Sequence, residues 1–293
     1  VRIGVLVWPP YELAYLARGK GYTEEANIEL VDYQTPAEMV RSYRFGLIDG
    51  MFVPSIFVLA NADNLDSARI IYIINFSDGG DSLLARPGID SIAELRGKRI
   101  GMEAGPLGAY MLARALHPHG LTREDVELVF VDTPDQKVSF ESGLVDAVAT
   151  YEPTRTQLLQ TGANELFSSR EIPLEIIDVI IVRQPVVNSH RKDLAIFVRS
   201  MNQALDIFHA EPEASAAIMT KRESISVREF LTAIDGMYLL SLEENHALLT
   251  GKDARFRDSL ELQSDIMTEA DIIADKPDVN NLIDTRVISE AAQ

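Results

Sequence analysis

RIGVLVWPPYELAYLAR, from Arg2 to Arg18, is echoed by RIGMEAGPLGAYMLAR, from Arg99 to Arg114, and this echo decides the fold. It is one of four. IELVDYQTP from Ile28 matches VELVFVDTP from Val126, GLIDG from Gly46 matches GLVDA from Gly143, and DSLLAR from Asp81 matches DVIIVR from Asp178. The offsets are 97, 98, 97 and 97 residues. Any two α/β units share apolar strands and amphipathic helices, but shared composition does not hold one register across four segments. The period is too long for a solenoid unit, whose repeats run ~20 to 50 residues. The chain therefore reads as a duplicated domain.

Each copy follows the order strand, helix, strand, helix, strand. Arg2–Val7 is short and rich in β-branched residues, ends at Trp8-Pro9-Pro10, and gives way to apolar residues at helical spacing until Gly19 and Gly21. Ile28–Tyr33 predicts a second strand, Thr35-Pro36 opens a helix to about Phe45, and Ile48–Val53 predicts a third strand. The second copy repeats this from Arg99 to Thr150. Such alternation predicts an α/β fold in which each lobe is a mostly parallel sheet flanked by helices, with right-handed crossovers. The apolar runs Ile70–Arg86 and Leu174–Arg183 leave one unit and enter the next. They predict a two-strand hinge with crossings near 78–82 and 177–180. Lobe 1 is then 1–80 with 184–293, and lobe 2 is 81–183. Past Arg183 the repeat stops, and helices are predicted over Lys192–His209, Glu213–Lys221, Val227–Leu240, Leu242–Leu249 and Asp258–Asp275, returning to lobe 1.

Composition narrows the function. With 45 acidic against 27 basic side chains, the formal charge of −18 repels nucleic-acid phosphates and anionic membranes, so no nucleic-acid partner is expected. There is no cysteine, which removes disulfides, thiolate catalysis and cysteine-based zinc sites. No apolar run approaches the ~20 residues of a membrane span. The chain opens at Val1, which implies a removed segment, either an export signal or a trimmed end. His117 and His119 are the only histidines close in sequence and read as a surface turn. No metal or cofactor is expected.

Open α/β sheets bind ligands at the carboxyl ends of their strands, where helix N-termini expose unpaired N–H groups. Trp8, Pro10 and Tyr11 follow the first strand; Trp8 could stack on a flat or cationic ligand or belong to a packed loop. Pro54 and Ser55 follow the third, where Ser55 reads equally as a helix cap. Glu103, Gly105 and Gly108 lie in a small-residue turn before the helix carrying Tyr110, which also fits a plain strand-to-helix turn; GMEAGPLG is no dinucleotide fingerprint. Tyr151 and Glu152 occupy the matching place in the second copy, Glu152 reading equally as a first-turn carboxylate on a helix dipole. Asp81 and Asp178 sit at equivalent points of the two crossings, lining the cleft or bracing the hinge.

SIAELRGKRIGMEAGPLGAYMLARAL, from Ser91 to Leu116, and GLVDAVATYEP, from Gly143 to Pro153, resemble the type 2 periplasmic solute-binding proteins of the nitrate, taurine, sulfonate and thiamine-precursor group. The resemblance covers roughly Val1 to Arg222. It implies the two-lobed type 2 periplasmic-binding-protein fold and a non-enzymatic carrier of an ABC importer that closes on a small molecule. It also implies a membrane permease as partner, a monomer, and a periplasmic or extracellular location with a membrane anchor as one option. A receptor's sensor domain is an alternative. Enzymes on the same lobe pattern, thiamine-pyrimidine synthases and a menaquinone-pathway dehydratase, fit less well: the former depend on a cysteine-rich motif, and no catalytic segment matches the latter. Because no lysine or arginine falls at the expected loop ends, while aromatic and acidic residues do, the expected ligand is a neutral or cationic nitrogenous solute.

Overall fold

A computed structural model describes all residues from Val1 to Gln293 except Asp66. The first copy builds β1 (Arg2–Val5), α1 (Glu12–Gly19), β2 (Glu29–Asp32), α2 (Pro36–Arg44), β3 (Gly50–Pro54) and α3 (Ser55–Ala60), followed by β4 (Ala68–Ser77). After β5 (Asp81–Ala85), the second copy builds β6 (Arg99–Met102), α4 (Pro106–Leu116), β7 (Glu127–Phe130), α5 (Thr133–Glu141), β8 (Ala147–Tyr151), α6 (Thr154–Gln160) and β9 (Asn164–Ser168). Local chemistry sets the boundaries. Thr35 caps α2 by accepting from the Glu38 N–H, and Pro36 sits in the first turn, where its missing N–H costs nothing.

Two sheets result, ordered β2-β1-β3 and β7-β6-β8 at their parallel cores, and the duplication is visible in their registers. Arg2 faces Glu29 and Ile3 faces Gly50 in one; Arg99 faces Glu127 and Ile100 faces Ala147 in the other. The crossing strands are exchanged. The chain leaves the first sheet after Ser77 and enters the second as β5, antiparallel to β8. It returns after Ser168 as β10 (Ile177–Arg183), antiparallel to β3 and β4. In each sheet the parallel trio is joined on one side by a reversed strand, β10 or β5, beyond which lie β4 and an edge strand in the first sheet and β9 in the second. Because β10 belongs to the first sheet, the second lobe ends before Ile177 and not at residue 183. The return crossing lies between Ser168 and Ile177, upstream of the expected 177–180.

The strands IDVIIVR of β10 and ARIIYIINFS of β4 are buried along almost their whole length, as strands covered on both faces must be. Covering helices α7 (Gln184–Ser189), α8 (Arg191–Ala210), α9 (Pro212–Glu223), α10 (Val227–Ile234), α11 (Leu242–Thr250), α12 (Arg255–Glu269) and α13 (Arg286–Ala291) complete the chain. Of these, α8 and α9 lie on α1, α11 lies on β4 and α12 on α3. The predicted helix Val227–Leu240 is cut short. Gly236 breaks it, and Met237–Leu239 pairs with Ser77–Asn75 as edge strand β11. A side chain at position 236 would meet the Gly80 backbone nitrogen at 3.0 Å, so this turn is pressed against the outgoing crossing.

Candidate functional site

Between the lobes lies a cleft of about 890 Å³ at the carboxyl ends of β1, β3, β6 and β8. Lobe 1 contributes Trp8, Tyr11 and Pro54; lobe 2 contributes Asp81, Glu103, Gly105, Gly108 and Tyr151; Asp178 enters on the returning strand. The Gly105 backbone, at φ 157° and ψ 175°, occupies a region open essentially to glycine alone, and it turns the chain from β6 into α4.

At the cleft floor Asp178 organises the first lobe. Its carboxylate accepts from Trp8 Nε1 at 3.0 Å and from the Tyr11 hydroxyl at 2.8 Å. The indole so fixed meets the Tyr151 ring edge-on at 5.5 Å, an aromatic contact between the lobes. Tyr151 in turn shares a 2.7 Å hydrogen bond with Thr133 and donates a long one to Glu103. Burial pushes Asp178 up to about 6, opposed by the Tyr11, Asn75 and Trp8 donors. Burial also raises Asp81, to about 7, aided by the nearby Asp178 and Glu152 carboxylates and opposed by Ser77. Glu103 is raised by burial as well. Asp81 differs from Asp178 in one respect: its Oδ2 is buried with no hydrogen-bond partner. A carboxyl group in that state is costly unless something outside the chain completes it.

Four expected site residues do not line the cleft. Pro10 is buried in the short 3-10 turn Pro9–Tyr11. Ser55 is fully buried and donates to Gln263 Oε1 at 2.8 Å, tying α3 to α12. Tyr110 points to the far side of α4, where its hydroxyl and Arg114 both hold Glu175. Glu152, 1% exposed, accepts from the Thr156 N–H and hydroxyl and pairs with Arg155, bracing the first turn of α6. All four are packing or capping groups.

The sequence reading missed Arg41, Arg44, Phe57 and Asn61, which reach the cleft from the flanks of α2 and α3. No lysine or arginine stands at the expected loop ends, but these two arginines bring basic side chains to the cleft from within α2. A side chain set on the body of a helix, away from the strand-to-helix turn, carries no loop signal; only the i, i+3 spacing of the two arginines could have marked one face.

Among the described residues no group of acidic or histidine side chains is arranged to hold a metal, and no helix is long and apolar enough to cross a membrane.

Comparison with known proteins gives mostly binding proteins, with an enzyme among the structural neighbours. A provisionally named binding protein of Brucella abortus is 26% identical over 159 residues, 52% of this chain and 49% of its own, so the chain matches about half of that relative's length. A provisionally named ABC transporter periplasmic binding protein of Brachyspira hyodysenteriae is 21% identical over 287 residues, 90% of this chain and 81% of its own. Among solved structures, the alkanesulfonate-binding protein SsuA of Xanthomonas axonopodis, bound to MOPS, superposes with a TM-score of 0.75 at 16% identity. It covers 99% of this chain and 96% of its own. The desulfurization enzyme DSZB does so with a TM-score of 0.70 at 17% identity, covering 99% and 98%. At such identities these two establish the periplasmic-binding-protein fold and nothing of its chemistry. The model of the family described as NMT1/THI5 like matches residues 8–215, well over half of the chain, and the protein belongs to that family.

Proposed function

We propose that the chain is the extracytoplasmic receptor of an ABC importer, which captures a small organic solute with a cationic or neutral nitrogenous head by closing its lobes. The observation that carries this reading is Asp81, a buried carboxyl group on the cleft wall with one oxygen unpartnered. A protonated amine or heterocyclic N–H supplies the missing donor, and the Trp8 and Tyr151 rings suit its flat or cationic face. Contacts from both lobes explain affinity through closure about the two crossings.

The structural likeness to an alkanesulfonate-binding protein suggests an anionic head instead. A sulfonate on this floor would sit beside Asp81, Asp178 and Glu103, and each ionised carboxylate would oppose it in a water-poor cleft. Catalysis of a thiolate kind has no nucleophile here, because the chain contains no cysteine, and no histidine lines the cleft.

The test is a thermal-shift screen over amines, pyrimidines, flavins, nitrate and sulfonates, with the single tryptophan, Trp8, reporting occupancy by fluorescence. Amines or nitrogen heterocycles should stabilise the protein, Asp81→Asn should abolish the effect, and scattering should show a more compact bound form. Stabilisation by sulfonates alone, undiminished in Asp81→Asn, overturns the proposal.

A further inference from the structure

Two guanidinium groups at the cleft have no partner among the described residues. Arg41 and Arg44 lie three residues apart on one face of α2, both are exposed, and both line the cleft. Neither makes an ion pair or hydrogen bond among the described residues, and in particular none joins them to Asp81, Glu103 or Asp178. The exposed Arg2, Arg96, Arg191 and Arg255 each pair with a carboxylate, whereas the exposed Arg18, Arg123 and Arg228 make no ion pair among the described residues; Arg41 and Arg44 differ from these three in lining the cleft.

Helix chemistry alone does not account for the pair. Cations in the last turn of a helix are favoured by the backbone dipole. Yet α5, the counterpart of α2 in the second copy, has no basic residue in its last turn. With Tyr43 and Gly46 matched to Phe140 and Gly143, the positions equivalent to Arg41 and Arg44 hold Val138 and Glu141. The duplication retains the aspartates at 81 and 178 but places the arginines on one lobe only. Apolar Val40, Phe57, Leu107 and Met111 also line the cleft.

We propose that Arg41 and Arg44 form an oxyanion-holding subsite of the cleft, so that the solute is bipolar, with a cationic nitrogen at Asp81, an apolar body and a carboxylate, phosphate or sulfonate at the two arginines. This rests on the assignment of Asp81 to the nitrogenous head. Paired guanidinium groups hold an oxyanion through charge-assisted, forked hydrogen bonds. They also supply the local positive field that an anion needs to approach a protein of net charge −18.

The experiment uses three probe series of increasing chain length: ω-aminoalkanoates, the matching n-alkylamines and the matching n-alkanoates. Affinities are read by calorimetry and by Trp8 fluorescence. At one favoured length the aminoalkanoate should bind on the order of 10-fold tighter than the amine. Arg41→Ala/Arg44→Ala should erase that advantage and leave the amine's affinity unchanged, while Asp81→Asn should weaken both. Amines that bind equally with or without the distal carboxylate, or an advantage that survives the double substitution, overturn the arginine subsite alone. Failure of every amine-bearing probe to bind overturns the Asp81 assignment and this one with it.

Discussion

Asp81→Asn should stabilise the protein at alkaline pH while destroying binding of the nitrogenous head. Burial raises the Asp81 carboxyl from an ordinary 3.8 to about 7, and its Oδ2 has no partner. The folded protein therefore holds this proton more tightly than the unfolded chain does. The group's contribution to stability is full below about pH 3.8, declines as the pH rises, and is lost above about 7. At 1.36 kcal/mol for each pH unit, the ionised residue costs about 4 kcal/mol at pH 8. Asparagine has nearly the same shape and no charge, so the variant avoids that cost. Urea unfolding at pH 4, 6 and 8 should show the variant close to the wild type at pH 4 and more stable by about 4 kcal/mol at pH 8. A difference between the two proteins that does not change with pH refutes the reasoning. A stabilising substitution that removes binding is the pattern expected where a site holds an unsatisfied group for its ligand.

Binding offers a second reading of the same proton: an amine seated at Asp81 favours the carboxylate, so binding at pH 6 should release a proton, seen as dependence of the calorimetric heat on buffer ionisation. The dependence should vanish above pH 8, and its absence at pH 6 counts against an Asp81–amine contact. Glu223, raised by burial to about 7 with both oxygens unpartnered, should behave like Asp81 in stability but not in binding. Glu223→Gln should gain about 3 kcal/mol at pH 8, nothing at pH 4, and leave ligand affinity intact; equal gains at both pH values contradict this. Ser55→Ala, Tyr110→Phe and Glu152→Gln should each cost about 1–3 kcal/mol in urea unfolding with affinity within about threefold of wild type, since each breaks a buried hydrogen bond made by a side chain that does not line the cleft. A tenfold loss of affinity in any of them would return that residue to the site. Gly50→Ala would place a Cβ 2.5 Å from the Ile181 carbonyl oxygen, which strand pairing holds in place, and should cost at least about 2 kcal/mol; a variant within 0.5 kcal/mol of wild type, a threshold set by ordinary surface substitutions, contradicts the close packing.

The repeat made the lobes, the parallel trios and the cleft readable because matching strands present matching ends. Trp8, Glu103 and Tyr151 lie within three residues of a strand's carboxyl end, and Tyr11 follows on the short turn after β1; strand periodicity locates such ends well. The exchange of crossing strands was not readable. IDVIIVR is an apolar run that suits either sheet, and only its pairing with β3 and β4 assigns it to the first. Likewise Met237–Leu239 continues the apolar pattern of α10, and the break at Gly236 takes effect because the outgoing crossing presses on it. Ser55, Tyr110 and Glu152 stand at or near the ends that form the cleft, but partners on α12, before β10 and within α6 turn them away.

The same duplication explains why the two aspartates do different work. Asp81 and Asp178 open the two exchanged strands at matching points, facing Tyr151 and Pro54 across their sheets. In the first copy the loop after β1 supplies Trp8 and Tyr11, whose donors fill the Asp178 carboxylate. The corresponding loop after β6 supplies Glu103 and Gly105, which offer no side-chain donor to Asp81. Two ancestrally equivalent carboxyl groups thus became a brace and an open acceptor through the residues that follow one strand in each copy. Supplying a donor from the second loop is the direct consequence to measure: Glu103→Gln brings an amide to that loop, and the Asp81 pKa, read by NMR, should fall from about 7 if the amide reaches it. An unchanged pKa would show that Asp81 is held apart from that loop, leaving its free oxygen to the solute alone.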